Sequence, residues 1–272
     1  MKKFNDLIVK IVIIALAIIT LFPFVYMLLS SLMSYQEVNS IPPTLIPSKP
    51  LFHNYVEAFQ KAPFARYFIN TVFTATATTI MTLITTVLAA FAFVKLQFKG
   101  KNVVSLIFAA LLMVPYEITV FTNYQTILKW GFVDTYFALI LPHCASIFYI
   151  FYLRGYLQSI PMSYYNAAKV DGASDLEFIW KILVPISKPA LFTMGILSFI
   201  SGWNSFLWPI LVTNEKNMRL ISNGLAAFTS EAGSQTQLQM AASAIAIVPI
   251  LILYFVFRSQ IMRGVSRSGL KG

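Results

Sequence analysis

The sequence predicts an all-α integral membrane protein with six transmembrane helices and both termini cytoplasmic. Three observations predict it. Of the 272 residues, 58% are hydrophobic and only 11% are charged. Soluble domains hold roughly 45–50% and 25%, and no water-soluble domain of this size hides so much apolar surface. Six apolar runs each come near the ~17–25 residues that cross ~30 Å of hydrocarbon as helix. Lys and Arg collect in alternate connecting segments, as the positive-inside rule requires of cytoplasmic loops.

The first run, Leu7–Ser30, follows Met1-Lys2-Lys3. Its length exceeds the ~7–15 residues of a signal-peptide core and no clean small-x-small cleavage site follows, so it is read as a retained span. Next comes an outside segment in which Pro42, Pro43, Pro47 and Pro50 exclude a helix and favour an extended, polyproline-like linker. His53-Asn54-Tyr55 with Glu57-Ala58-Phe59 predicts a short interfacial helix anchored by aromatic rings. The second run, Ile69–Phe93, is rich in threonine, whose hydroxyls bond back to their own helix or across to another. The third, Val103–Phe121, contains Pro115, which predicts a kink. The fourth and fifth are Tyr136–Leu153 and Ala190–Val212, and the sixth is Met240–Phe257.

With the N-terminus inside, the inside segments hold 14 of the 20 Lys and Arg and the outside segments 6. Counting the acids as well, with Glu117 assigned to a span, the inside carries +10 and the outside about +1. The net charge of +10 is therefore a topology signal, and nucleic acid is not needed as a partner to explain it. The single cysteine, Cys144, excludes an internal disulfide.

The same orientation places residues 161–189 on the cytoplasmic side, between the fourth and fifth spans. Here the pattern turns amphipathic: Tyr164, Tyr165, Ala168, Phe178, Ile179 and Ile182 alternate with Lys169, Asp171, Asp175 and Glu177. Gly172 allows a turn that other residues resist, so two short helices meeting at an elbow are expected. An aspartate at Gly172 is expected to crowd that elbow. The small side chains of Ala167 and Ala168 suit close approach of another surface, and such an element can dock in a groove on a partner.

These residues closely resemble the coupling motif of ABC importer permeases: Glu-Ala-Ala, three residues, Gly, nine residues, then Ile-x-Leu-Pro. Asn166, Ala167 and Ala168 stand at the first three positions, Gly172 follows, and Ile182 and Pro185 fall at the right distance. Asn166 replaces Glu and Val184 replaces Leu. Asp134-Thr135-Tyr136, Leu141-Pro142, Arg154, Asp171-Gly172-Ala173, Pro185 to Pro189 and Trp203-Asn204 run in the order seen in carbohydrate-type permeases. This is the subgroup that contains the smaller permease of the maltose importer and its relatives for oligosaccharides and glycerol 3-phosphate. The terminal Gly269-Leu270-Lys271-Gly272 also resembles the tail of that subgroup, with Leu270 in the place of Val.

The resemblance implies a type I ABC importer permease fold in a bacterial plasma membrane. It also implies a second homologous permease as heterodimer partner, ABC ATPase subunits inside and an extracytoplasmic solute-binding protein outside. Asn166, Ala167, Ala168, Asp171, Gly172, Ile182 and Pro185 would seat in the ATPase, and Gly269–Gly272 would reach it. The implied organisation is an N-terminal helix and linker at 1–65, a transmembrane core at 66–258 and a cytoplasmic tail at 259–272. The solute would be a sugar, oligosaccharide or polyol derivative. An importer for another solute class, or an embedded enzyme or assembly factor without an ATPase, are the alternatives.

The chain carries no Gly-x-x-x-x-Gly-Lys-[Ser/Thr] phosphate loop; Gly100-Lys101-Asn102 lacks both the upstream Gly and the hydroxyl. It is therefore not expected to be an enzyme or to hold a cofactor, with ATP and Mg bound by the partner ATPase. His143 and Cys144 are neighbours that point ~100° apart on a helix, which does not suit one metal ion. For the translocation path the candidates are Glu117, an acid inside a span beside Pro115, and Trp203-Asn204, an aromatic face with an amide suited to sugar hydroxyls.

Overall fold

Among the described residues of the computed structural model, three helices are long and apolar enough to cross a membrane. Three further helix pairs qualify when each bent pair is taken together. The structure describes the backbone of residues 2–231 and 235–268 and the side chains of residues 6–228 and 235–258, and no strand occurs among them. The chain divides into two compact units, residues 1–65 with 223–251 and residues 66–222 with 252–272.

In the first unit α1 (Lys2–Ser31) is apolar on nearly every side from Ile11 onward. None of its most hydrophobic window is buried within the chain, as expected of a helix that faces lipid or another membrane protein. The orphan carbonyls at its end are capped from α2 (His53–Lys61). The Asn54 amide donates to the Ser31 and Met33 carbonyls at 2.8 and 2.9 Å, and the hydroxyls of Ser31 and Tyr55 meet at 2.7 Å. The proline-rich stretch between them holds no helix, but it folds back where an extended linker was expected. The physical reason is Glu37, which accepts from the Ser34 N–H at 2.8 Å and the Ser48 N–H at 2.9 Å. Led by the Ser34 backbone bond, these hydrogen bonds hold the Glu37 carboxyl down at about 2.

Most of α3 (Phe64–Lys95) lies in the second unit, followed by α4 (Lys101–Leu111) and α5 (Tyr116–Lys129). The run predicted as one span over Val103–Phe121 is bent by 99° between α4 and α5, just before Tyr116. Pro115 there has no N–H to continue the ladder. The fourth predicted span is likewise broken. Tyr136–His143 (α6) and Ile147–Gln158 (α7) meet at 44°. This break frees backbone carbonyls in an apolar setting, and α3 supplies the donors. Thr82 Oγ1 donates to the His143 carbonyl at 2.8 Å and Thr85 Oγ1 to that of Cys144 at 2.7 Å.

Next come α8 (Met162–Val170), α9 (Asp175–Ile186) and α10 (Lys188–Trp203), with an 83° bend between the last two. Pro189 lacks the N–H that would bond the Pro185 carbonyl one turn back, and its ring crowds that carbonyl. The predicted span Ala190–Val212 also ends early, because α10 stops at Trp203 and α11 (Leu207–Val212) is a separate helix. α12 (Ile221–Glu231) and α13 (Thr236–Ser268) follow.

Two apolar clusters organise the second unit. One joins Val87, Ala90 and Phe91 of α3 to Leu153 and Leu157 of α7 and to Phe178, Ile179 and Leu183 of α9. The other surrounds Trp208, whose indole N–H donates to the Ala138 carbonyl at 2.8 Å. Between them α3 and α10 touch through small residues. A Cβ on Gly202 would meet Ala75 Cα at 3.2 Å, and Thr79 bonds Ser198 at 3.2 Å.

Candidate functional site

The polar island at 161–189 folds as an elbow. Asp171 caps α8, and Gly172 takes φ +81°, the left-handed region. Gly172 N–H donates to the Lys169 carbonyl at 3.1 Å and Ala173 N–H to that of Ala168 at 2.9 Å, the paired bonds of a Schellman ending. Ser174 then starts α9 with a capping box. Its hydroxyl accepts from Glu177 N–H at 3.2 Å, and the Glu177 carboxylate accepts from Ser174 N–H at 3.0 Å. The Ser174 backbone bond, followed by Lys181 at 2.9 Å, holds the Glu177 carboxyl at about 2.

The two arms are tied together across the turn. Lys169 Nζ lies 2.6 Å from Asp175 Oδ1, and the Tyr165 hydroxyl donates to the same oxygen at 2.8 Å. The Lys169 and Tyr165 hydrogen bonds lower the Asp175 pKa. Beneath the turn, Tyr165 and Phe178 pack edge to face at 5.0 Å, and Phe91 of α3 lies 5.9 and 6.1 Å from them. Lys95, buried at the end of α3, donates to the Ile160 carbonyl at 3.0 Å. The elbow is thus fastened to the end of one long helix.

The coupling residues chosen from the sequence separate into two faces. Ala168 is buried against the chain's own core and Ile182 packs at its edge, so Ala168 does not meet an outside surface as expected. Asn166, Ala167, Asp171, Gly172 and Pro185 are exposed. Tyr164, one of the apolar residues of the amphipathic pattern, is exposed, together with Val170, Leu176 and Trp180. Val170 is 88% exposed. The expected crowding at Gly172 is also corrected. Nothing lies within 4 Å of an added Cβ, so the restriction there is torsional. Between Ile179 and Leu183 the helix widens to a π turn, with Val184 N–H reaching the Ile179 carbonyl. The residues Gly269, Leu270, Lys271 and Gly272 lie outside the described residues.

A second feature lies higher on α3, a cavity of about 560 Å³. Thr74, Thr78 and Thr82 line one wall, Ser198, Ser201 and Asn204 of the α10 end another, and Tyr116, His143, Ser146 and Tyr149 the breaks between helices. The His143 ring stands between Tyr116 at 5.8 Å and Trp208 at 6.0 Å, and its Nε2 is buried without a hydrogen-bond partner. Of the three path residues chosen from sequence, only Asn204 lines the cavity. Trp203 is buried behind it, edge to face with Phe68 at 5.6 Å. Glu117 is exposed in the first turn of α5, where a carboxylate complements the helix dipole, and its neighbour Tyr116 takes the lining position. Thr78, His143, Ser146, Tyr149 and Ser201 were missed because they come from separate elements with no shared spacing.

From Thr78 at the cavity to Phe91 at the elbow is thirteen residues of unbroken helix, about 20 Å at 1.5 Å per residue. One rigid element therefore joins the two features.

Residues 82–267 match the family described as binding-protein-dependent transport system inner membrane component. The chain is 31% identical over 260 residues to the arabinooligosaccharides transport system permease protein AraQ of Halalkalibacterium halodurans, covering 94% of this chain and 93% of that one. It is 29% identical over 267 residues to the sn-glycerol-3-phosphate transport system permease protein UgpE of Yersinia enterocolitica, covering 95% of each. In the crystal structure of a bacterial ABC transporter involved in the import of the acidic polysaccharide alginate, one chain superposes with a TM-score of 0.82. That match has 25% identity and covers 94% of this chain and 96% of that chain.

Proposed function

We propose, because this chain belongs to the family of binding-protein-dependent transport system inner membrane components, that it carries a sugar, oligosaccharide or polyol derivative through the membrane. It is an inner-membrane permease with the all-helical type I ABC importer fold. The carbohydrate assignment draws on relatives whose names specify arabinooligosaccharides and sn-glycerol 3-phosphate.

Six spans follow if α1, α3, the α4–α5 pair, the α6–α7 pair, the α9–α10 pair and α13 each cross once, with α10 the membrane part of the α9–α10 pair. The excess of Lys and Arg then puts both termini and the elbow in the cytoplasm. In this organisation residues 1–65 form the first helix and its linker, 66–258 the transmembrane core and 259–272 a tail that reaches the ATPase. A separate ATPase, with its own ATP and Mg, docks on the exposed face of Asn166, Ala167, Val170, Asp171, Leu176 and Trp180. A second permease completes a heterodimer, and a solute-binding protein delivers the cargo from outside.

The single observation that carries the mechanism is the fastening of the elbow to α3. When the ATPases close on ATP, a push on the exposed arms passes through Tyr165 and Phe178 to Phe91 and moves α3 as a rod. The far part of that rod is a wall of the cavity, which includes Asn204, with Trp203 as its packing support. A force at the elbow thereby reaches the solute path without chemistry in this chain.

The deciding experiment is purification of the tagged chain from its native membrane in mild detergent, with companions identified by mass spectrometry. A stoichiometric ATPase with a second, distinct permease is expected. Recovery of the chain alone, or only as a homo-oligomer, would overturn the assignment.

A further inference from the structure

We infer that the cavity beside α3 is a solute-binding station of this chain itself, built for an uncharged polyhydroxylated molecule and against anions. The inference rests on the importer reading above and narrows its solute. The chain's relatives include carriers of both kinds. An arabinooligosaccharide is neutral, whereas glycerol 3-phosphate and alginate are anions.

The lining decides between them. Among the described residues, no Asp, Glu, Lys or Arg lines the cavity. Its polar lining is hydroxyl, amide and imidazole, beside apolar side chains such as Leu139, Phe206 and Leu207, and several of the polar groups have capacity to spare. Among the described residues the side chains of Thr78, Ser201 and Asn204 make no hydrogen bond, and Asn204 and Ser201 are exposed. Ser146 accepts from the Tyr149 N–H at 3.4 Å and keeps its own proton to donate. His143 Nε2 is buried with no partner. Sugar hydroxyls both donate and accept, so they match such mixed groups. The rings of Tyr116 and Tyr149 offer apolar faces for the C–H side of a sugar ring. The volume of about 560 Å³ falls in the ~300–1,000 Å³ range of small-ligand sites.

An anion would lose its water here and meet no cation. Two helices, α5 and α7, do begin at this cavity, and a helix start attracts negative charge. Both starts are already occupied. Glu117 sits in the first turn of α5, and the Ser146 hydroxyl takes an orphan N–H of α7. Their residual pull is weak, and the Glu117 carboxylate repels a second anion.

The test uses the complete importer, with its ATPase, second permease and binding protein, reconstituted in proteoliposomes. The outside is supplied with an equimolar mixture of arabinotriose, maltotriose, raffinose, sn-glycerol 3-phosphate and trigalacturonate, and the lumen is read by mass spectrometry. ATP-driven accumulation of an uncharged probe at least tenfold above either anion is expected. Thr78→Val and Asn204→Ala should each lower that uptake several-fold, with the ATPase still co-purifying. Asn204→Arg should narrow the neutral-to-anion ratio, which a purely structural role for Asn204 would leave unchanged.

Accumulation of an anion at or above the rate of every neutral probe overturns the inference while the importer itself stands. So does unchanged uptake in both Thr78→Val and Asn204→Ala. If no probe enters in an ATP-dependent way, the carbohydrate importer falls, and this inference falls with it.

Discussion

Replacing Gly172 tests whether torsion or bulk limits the elbow. With φ at +81° and open space around an added Cβ, the cost of a side chain is that of holding an L residue left-handed, about 1–2 kcal/mol. For a β-branched residue the cost is larger, while Asn visits this region most readily. Uptake by the reconstituted importer is therefore expected to fall in the order Gly172→Asn, Gly172→Ala, Gly172→Val. One to two kcal/mol is roughly a 5–30-fold change in the population of the formed elbow. The Ala variant should thus lose several-fold of its coupled uptake, with normal levels in the membrane. Asn and Val are similar in bulk but differ in torsional preference. Equal damage from Asn and Val would refute the torsional account, and full activity of Val would refute any role for the Schellman turn in coupling.

Three further outcomes are expected. Phe91→Ala removes the ring shared by Tyr165 and Phe178; Phe-to-Ala truncations in cores cost about 3–5 kcal/mol, so the thermal midpoint in detergent should drop by several degrees. If the residual folded complex hydrolyses ATP yet imports at the normal ratio, force does not pass through this ring. Thr85→Val leaves the Cys144 carbonyl without its donor, at about 1–3 kcal/mol, and should speed thiol labelling of Cys144, the chain's one cysteine; an unchanged rate would deny the threonine its role at the break. The Glu177 carboxyl is lowered in the folded chain from 4.5 to about 2, so its contribution to the α9 start is full above about pH 4.5 and lost as pH falls toward 2. Protease nicking at the elbow should rise over that window, and Glu177→Ala should flatten this dependence.

The apolar runs, the polar island and the elbow at Gly172 were legible, since each is signalled by residues adjacent in sequence. Hydrophobic runs report local transfer from water, and a glycine between two amphipathic stretches reports a turn. The breaks were legible only in part. Pro115 announced the bend of the third run, but the 44° break after His143 has Pro142 inside a turn and shows no gap in hydrophobicity. Glu117 was drawn into the path by its rarity inside an apolar run, although one residue of helix rotation places Tyr116 at the cavity instead.

The amino-acid sequence alone determined that this chain lives in a membrane, and it carried the expectations for the spans, the cytoplasmic side and the coupling element. Each of those follows from composition within a window of a few turns. Only the tertiary structure decided that Ala168 faces inward while Val170 and Trp180 face out. Only it brought Thr78, His143, Ser146 and Asn204 around one cavity, and placed Phe91 under an elbow more than seventy residues away. The reason is that facing and assembly depend on how separate helices pack. In a chain where nearly every helix face is apolar, hydrophobic pattern loses its power to tell inside from outside, and small residues, threonine bonds and ring contacts take over that choice.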